Sequence, residues 1–142
     1  MLFRSICILL ICLSGSAHLT AQTRTPIIQS QTYPQNYFRS PLDIPHQASG
    51  TFGELRSTHF HAGDDYRTQQ RVGLPLFAVA EGYISRLRIQ AGGGGHSLYI
   101  NHPNGYTSVY LHMDRFAPAY EARVREEQYR QKSFVVDINL EP

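Results

Sequence analysis

Histidines and carboxylates are most crowded at residues 59–65, which read His-Phe-His-Ala-Gly-Asp-Asp. In an extended segment the side chains alternate between two faces, so His61 and Asp65 would share a face. Gly63 lies between them and leaves space for an ion between the imidazole nitrogen and the carboxylate oxygen. The spacing therefore predicts half of a metal site with His61 and Asp65 as ligands. A solvated turn with the same side chains exposed is the alternative.

The chain after this stretch has the composition of a β-sheet. Gly73 and Pro75 mark a turn, and strands are predicted at residues 76–80 and 83–89. In the second strand leucine and isoleucine alternate with arginine, which is typical of a strand with one solvated face. Four glycines follow at residues 92–95. No lysine and Ser/Thr pair comes after them, so we interpret them as a hairpin loop rather than a phosphate-binding loop.

A hairpin and a helix complete the pattern. Residues 97–111 predict two strands around an Asn-Gly turn, with His102 as a turn residue. Charged and apolar residues then recur with a period near 3.6, which predicts a surface helix near 118–132 with a solvated charged face. Residues 133–140 return to strand composition. The fold class predicted from these elements is mainly β, with one helix.

The first 21 residues have the layout of a secretory signal peptide, with Arg4, an apolar run at residues 6–13 and small residues after it. The run is shorter than the roughly 20 residues that span a bilayer, although a short membrane anchor is the alternative. Cys7 and Cys12 both lie in this segment, so any metal in the exported chain must use His, Asp or Glu. We expect export to the periplasm or cell envelope, with no stable membrane span after cleavage.

Residues 22–50 are polar and contain four prolines, which disfavour helices and central strands. They predict an extended arm ahead of a β domain at residues 51–142. Aromatic residues in the arm indicate that it packs along the domain, and a flexible linker is the alternative.

The charge balance argues against nucleic acid as a partner. The sequence has 13 basic and 11 acidic residues, and removal of residues 1–21 takes away one basic residue and no acid. A chain without a basic stripe lacks the electrostatic footprint that binds a phosphate backbone.

Three ordered motifs resemble the lysostaphin-type zinc metallopeptidases, which are secreted endopeptidases that cut the peptide bridges of bacterial cell wall. Residues 60–65 match a His-x-x-x-Asp motif with a glycine two positions after the histidine. Residues 73–84 are similar to the strand pair behind the family's site. Residues 101–112 are similar to the hairpin that carries a catalytic histidine.

The resemblance implies antiparallel sheets of the duplicated-hybrid-motif type. It implies that His61 and Asp65 bind Zn²⁺, and that His112 orients or deprotonates a water and stabilises the oxyanion. The implied substrate is a peptidoglycan peptide. Such a zinc carries three protein ligands and one water, whose pKa it lowers toward about 7.

Two features depart from the family's pattern. Asp64 stands where the family usually has an apolar residue and would face the core, unless it is exposed or the strand is irregular there. No histidine follows His112, so the His-x-His motif that supplies the third ligand is missing. The resemblance therefore implies that residues 51–142 are the N-terminal portion of a domain that is incomplete at its C-terminus, either as a fragment or as a natural degenerate form, and we expect this portion to be inactive alone. His59 could replace the missing ligand only if the backbone bends.

Two further functions remain open besides a zinc endopeptidase. One is a non-catalytic domain of the same fold that binds cell wall or regulates a partner cell-wall hydrolase. The other is a β scaffold in which the histidine-rich stretch is incidental.

Overall fold

The computed structural model describes residues 35–142, and this part of the chain forms two antiparallel β-sheets and one α-helix. The elements are β1 (Ala48–Gly50), β2 (Asp65–Tyr66), β3 (Tyr83–Gln90), β4 (Gly95–Asn101), β5 (Thr107–Met113), α1 (Pro118–Gln131) and β6 (Val136–Asn139). β1 pairs with β2, and the other strands form a four-stranded sheet in the order β5-β4-β3-β6. The predicted mainly β, antiparallel fold class is confirmed. Within residues 35–142 no helix is long and apolar enough to cross a membrane.

One face of the four-stranded sheet carries the hydrophobic core. Its buried apolar side chains are Leu87, Ile89, Leu98, Ile100, Phe116, Val124, Val136 and Ile138. Leucine and isoleucine of β3 point into this core, while Arg86 lies on the opposite face and pairs with Asp137 of β6. The hydrogen bond from Arg86 lowers the pKa of Asp137. The apolar and charged residues of β3 therefore alternate for the expected reason, because one face of the strand packs against the core and the other faces solvent.

The helix closes this core. α1 begins at Pro118, where the missing amide hydrogen of proline breaks no intrahelical hydrogen bond, and it ends at Gln131, so the helix expected near 118–132 is confirmed. Val124 is only 2% exposed and packs with the strands. Glu127 departs from the predicted solvated pattern, because it is buried and accepts hydrogen bonds from Arg130 and Gln131. These bonds lower the pKa of Glu127 from 4.5 to about 2.

The strand predicted at residues 76–80 does not form. The backbone there is held instead by single hydrogen bonds from Phe77 to the carbonyl of Pro41 (2.9 Å) and from Arg39 to the carbonyl of Val79 (2.7 Å). The Tyr110 hydroxyl donates to the Phe77 carbonyl and accepts from the Val79 amide. Because the partners are an irregular segment and a side chain, no ladder of strand hydrogen bonds builds up.

Residues 51–61 form a hairpin that lies in the chain between β1 and β2. A bridge between Leu55 and Phe60 closes the hairpin, and the His61 amide donates to the carbonyl of Glu54 (2.8 Å). β2 begins four residues after His61 and pairs with β1, which lies inside the segment predicted as an extended arm. The hairpin and the β1–β2 pair therefore meet around His61.

Candidate metal centre

His61 and Asp65 lie side by side. The Nε2 atom of His61 is 3.3 Å from the Oδ1 atom of Asp65. The sequence argument assumed one extended segment from 59 to 65, but residues 61–64 are irregular in the structure. The two side chains meet because the hairpin presents His61 and the β1–β2 pairing presents Asp65. The two side chains are therefore close together, as predicted, but they are not brought together by one extended segment.

Two further contacts orient the pair. The Nδ1 atom of His61 lies 3.0 Å from the carbonyl oxygen of Thr51, which can only accept, and 3.4 Å from Nη2 of Arg56, which can only donate. The shorter contact assigns the proton to Nδ1 and leaves the lone pair on Nε2. The Oδ2 atom of Asp65 accepts a hydrogen bond from Nη2 of Arg56 at 2.9 Å, which leaves Oδ1 on the side of His61. A lone pair and a carboxylate oxygen therefore face one another, an arrangement that a cation between them stabilises.

This arrangement fits zinc. Two ligands that each lie about 2.0–2.2 Å from a tetrahedral ion are about 3.3–3.6 Å apart, and the observed 3.3 Å falls in that interval. The hydrogen bond from a ligand histidine to a carbonyl is also the usual support of such a site. However, residues 35–142 contain no group of three His, Cys, Asp or Glu side chains that could hold a metal ion. The part of the chain that the structure describes therefore supplies a pair of candidate ligands, not a full set.

His112 lies on β5, in the other sheet, at a β-bulge. His96 pairs with Met113 and Leu98 with Tyr110, so a step of two residues along β4 matches three along β5. His112 takes up the extra residue with φ 56°, and its amide donates to the carbonyl of Gly94 (2.8 Å). Its side chain is exposed and makes no hydrogen bond or ion pair with His61 or Asp65 within residues 35–142.

The neighbouring polar residues take other roles. His59 is exposed, and its ring contacts the Thr58 hydroxyl (3.1 Å) rather than the pair. Asp64 is also exposed, and its carboxylate accepts from the amide of Phe52 (3.0 Å). Of the orientations considered for Asp64, the structure shows the exposed one, because the backbone around it is irregular and does not alternate.

Sequence reasoning missed the burial of His102. This residue begins the predicted turn, but it is only 5% exposed. Its Nδ1 atom donates to the carbonyl of Glu81 (2.7 Å), and the Ser108 hydroxyl donates to Nε2 (2.9 Å). The Phe38 ring packs edge-on against it at 5.4 Å. His102 therefore ties three segments of the chain together and has no nitrogen left for a metal.

Sequence reasoning also missed Arg56. Its Nη2 atom contacts Glu54 (3.0 Å) as well as Asp65, and lies 3.4 Å from Nδ1 of His61. Nothing in the spacing of residues 51–65 indicated this contact, which exists only because the hairpin folds back on the β1–β2 pair.

Comparison with known proteins assigns the family. Residues 59–129 match the model of peptidase family M23, and this match covers half of the chain and includes His61, Asp65 and His112. The chain belongs to this metallopeptidase family, which confirms the resemblance noted from the motifs.

Several curated proteins are similar to parts of the chain. A peptidoglycan DD-endopeptidase, ShyC, of Vibrio cholerae is 29% identical over 124 residues, which are 75% of this chain and 27% of that protein. A DD-carboxypeptidase/endopeptidase, Mpg, of Neisseria meningitidis serogroup B is 37% identical over 71 residues, 50% of this chain and 16% of that protein. An uncharacterized metalloprotease of Haemophilus influenzae is 29% identical over 96 residues, 61% of this chain and 19% of that protein. The chain thus spans about a quarter or less of the length of these relatives. No solved structure matches the chain.

Proposed function

We propose that this chain is an exported, zinc-dependent metalloendopeptidase-like protein of the periplasm or cell envelope, directed at the peptide cross-bridges of peptidoglycan. The observation that carries the proposal is the distance of 3.3 Å between Nε2 of His61 and Oδ1 of Asp65. The other polar atom of each side chain, Nδ1 of His61 and Oδ2 of Asp65, makes a hydrogen bond elsewhere. The family match supports the reaction class. The names of the relatives from Vibrio and Neisseria, which are endopeptidases, support the substrate class.

His61 and Asp65 would hold the zinc, and the proton on Nδ1 of His61 is kept in place by the Thr51 carbonyl. Bound zinc would supply Lewis-acid polarisation of the scissile carbonyl and a water of lowered pKa. His112 is the proposed catalytic residue. Its exposed imidazole can accept a proton from an attacking water, because no described group occupies its ring nitrogens.

We propose further that this chain does not cleave peptidoglycan alone. Residues 35–142 offer no third ligand beside the pair, and a zinc held by two protein groups has fewer bonds and a less defined geometry. The same observation favours a second candidate function. In this alternative the chain is a non-catalytic domain of the same fold that binds cell wall or regulates a partner cell-wall hydrolase.

The test combines zinc binding by calorimetry with peptidoglycan turnover, using the full chain with and without added zinc. We expect weak zinc binding that His61→Ala and Asp65→Ala each abolish, and that the matched control His59→Ala leaves unchanged. Turnover should be absent until a segment carrying a His-x-His motif is supplied, and it should then require His112. Zinc binding that persists in both His61→Ala and Asp65→Ala would refute the metal centre. Zinc-dependent turnover by the chain alone would refute its inactivity. Binding to intact peptidoglycan without turnover, even with the added segment, would select the non-catalytic function.

A further inference from the structure

Arg56 is the one cation in contact with the His61–Asp65 pair within residues 35–142. Its Nη2 atom donates to Asp65 Oδ2 at 2.9 Å and to Glu54 Oε2 at 3.0 Å. The guanidinium is thus held between two carboxylates, and its side chain is 37% exposed. Glu54 and Arg56 both belong to the hairpin, whereas Asp65 begins β2. The contact therefore joins the two segments that present the metal ligands.

The two oxygens of Asp65 have separate partners. Oδ2 is bonded to Arg56, and Oδ1 faces Nε2 of His61 at 3.3 Å. A free aspartate could rotate about χ2 and offer either oxygen, or both, to an ion. A charge-assisted hydrogen bond on one oxygen fixes the carboxylate plane and leaves the other oxygen to act as a monodentate ligand.

Close packing at Gly50 supports this arrangement. A Cβ atom at position 50 would lie 2.4 Å from Nη2 of Arg56 and 2.5 Å from Oδ2 of Asp65. Real Cβ atoms essentially never approach other heavy atoms so closely, so a larger residue there would displace the ends of these two side chains. Gly50 is buried in β1 and pairs with Asp65 across the small sheet. The hydrogen bond between Arg56 and Asp65 therefore lies in the space beside the Cα atom of Gly50, where a larger side chain would begin.

We propose that Arg56 is a positioning residue for the metal site: it holds the Asp65 carboxylate so that Oδ1 faces His61. This proposal rests on the proposed function, since it concerns the same pair of ligands. It attributes to Arg56 no contact with substrate and no part in the chemistry.

The charge of Arg56 opposes its positioning effect. A guanidinium beside a divalent cation repels it, so removal of the charge alone would strengthen metal binding. Loss of a group that orients a metal ligand typically weakens binding by about 10–100-fold. These two effects have opposite signs, so the direction of change in metal affinity decides between them.

Lysine is the informative replacement because one nitrogen makes all the contacts. Nη2 carries the hydrogen bonds to Glu54 and Asp65 and lies 3.4 Å from Nδ1 of His61, while Nε is buried and has no hydrogen-bond partner within residues 35–142. The ammonium of lysine has three donors and keeps the charge, so it can replace Nη2. Methionine has a similar length and no donor or charge. Arg56→Lys can therefore retain the hydrogen bond to Asp65, whereas Arg56→Met loses it.

The experiment measures Zn²⁺ affinity of the full chain by calorimetry for wild type, Arg56→Lys and Arg56→Met. Arg123→Met is the matched control, because Arg123 is an exposed arginine of α1 that pairs with Glu126. We expect Arg56→Met to bind zinc about 10–100-fold more weakly, Arg56→Lys to recover most of the affinity, and the control to match wild type. Thermal unfolding without added zinc checks that each variant is folded. Arg56→Leu, which also lacks a donor and a charge, replaces Arg56→Met if methionine prevents folding.

The outcomes separate this inference from the proposed function. Equal or tighter zinc binding by folded Arg56→Met, with wild-type binding that depends on His61 and Asp65, overturns the role of Arg56 and leaves the metal centre intact. Equal weakening by lysine and methionine also overturns it, because positioning by one hydrogen bond predicts rescue. Wild-type binding that does not depend on His61 and Asp65 overturns the proposed function itself.

Discussion

The left-handed backbone at His112 makes a sharp prediction about stability. His112 has φ 56°, in the region where a Cβ atom crowds the following carbonyl oxygen. This crowding costs roughly 1–2 kcal/mol for a residue other than glycine. The strain acts on the backbone through Cβ, so His112→Ala retains it and His112→Gly relieves it. The exposed imidazole makes no described hydrogen bond, so its loss affects both variants equally.

The expected difference in the free energy of unfolding follows from two terms. Glycine relieves roughly 1–2 kcal/mol of strain in the folded chain. It also raises the entropy of the unfolded chain, which lowers stability by roughly 0.4–1 kcal/mol relative to alanine. At the middle of the two ranges the terms are roughly 1.5 and 0.7 kcal/mol, so the free energy of unfolding of His112→Gly should exceed that of His112→Ala by roughly 0.8 kcal/mol. In a domain of this size the midpoint of thermal unfolding should differ by roughly 2–8 °C.

The measurement is thermal and urea unfolding of both variants, with Val109 as the matched control site. Val109 is an exposed residue of the same strand and is not among the residues with positive φ. Val109→Gly should therefore be less stable than Val109→Ala, the opposite order to position 112. If glycine is also the less stable choice at position 112, left-handed strain does not govern stability at this residue, and the reasoning is refuted.

Two further predictions concern buried polar groups. His102→Ala should lower the free energy of unfolding by roughly 1–3 kcal/mol in urea titrations, because it leaves buried hydrogen-bonding partners unpaired. The matched control His59→Ala removes an exposed side chain and should change the free energy of unfolding by less than about 0.5 kcal/mol. Equal effects of the two substitutions would contradict the burial of His102. The pKa of Glu127 is lowered to about 2 by hydrogen bonds from Arg130 and Gln131, so its contribution to stability is present above pH 4.5 and is lost as the pH falls toward 2. In urea titrations between pH 4.5 and 2, the free energy of unfolding of Glu127→Gln should fall less than that of wild type. If the two proteins lose the same stability over this pH interval, the lowered pKa of Glu127 is contradicted.

Local pattern was sufficient to predict most of the elements. The period near 3.6 at 118–132 and the alternation at 83–89 each depend on neighbouring residues, and α1 and β3 formed where they were expected. The strand predicted at 76–80 did not form, because no strand within residues 35–142 pairs with this apolar run. Its hydrogen bonds go to residues 39–41 and to the Tyr110 hydroxyl.

The candidate site also combines features that the sequence predicts with features that only the tertiary structure sets. The sequence alone was sufficient to predict His61 and Asp65 as a metal-binding pair, because they are close in the chain and lie in a motif that resembles a known family. Only the tertiary structure decided how they are oriented. Arg56 reaches Asp65 because a hairpin folds onto a separate strand pair, and His112 is left-handed because β4 and β5 differ by one residue in register. A hydrogen-bond partner or a bulge depends on which distant segments pack together, and no local pattern of residue types carries that information.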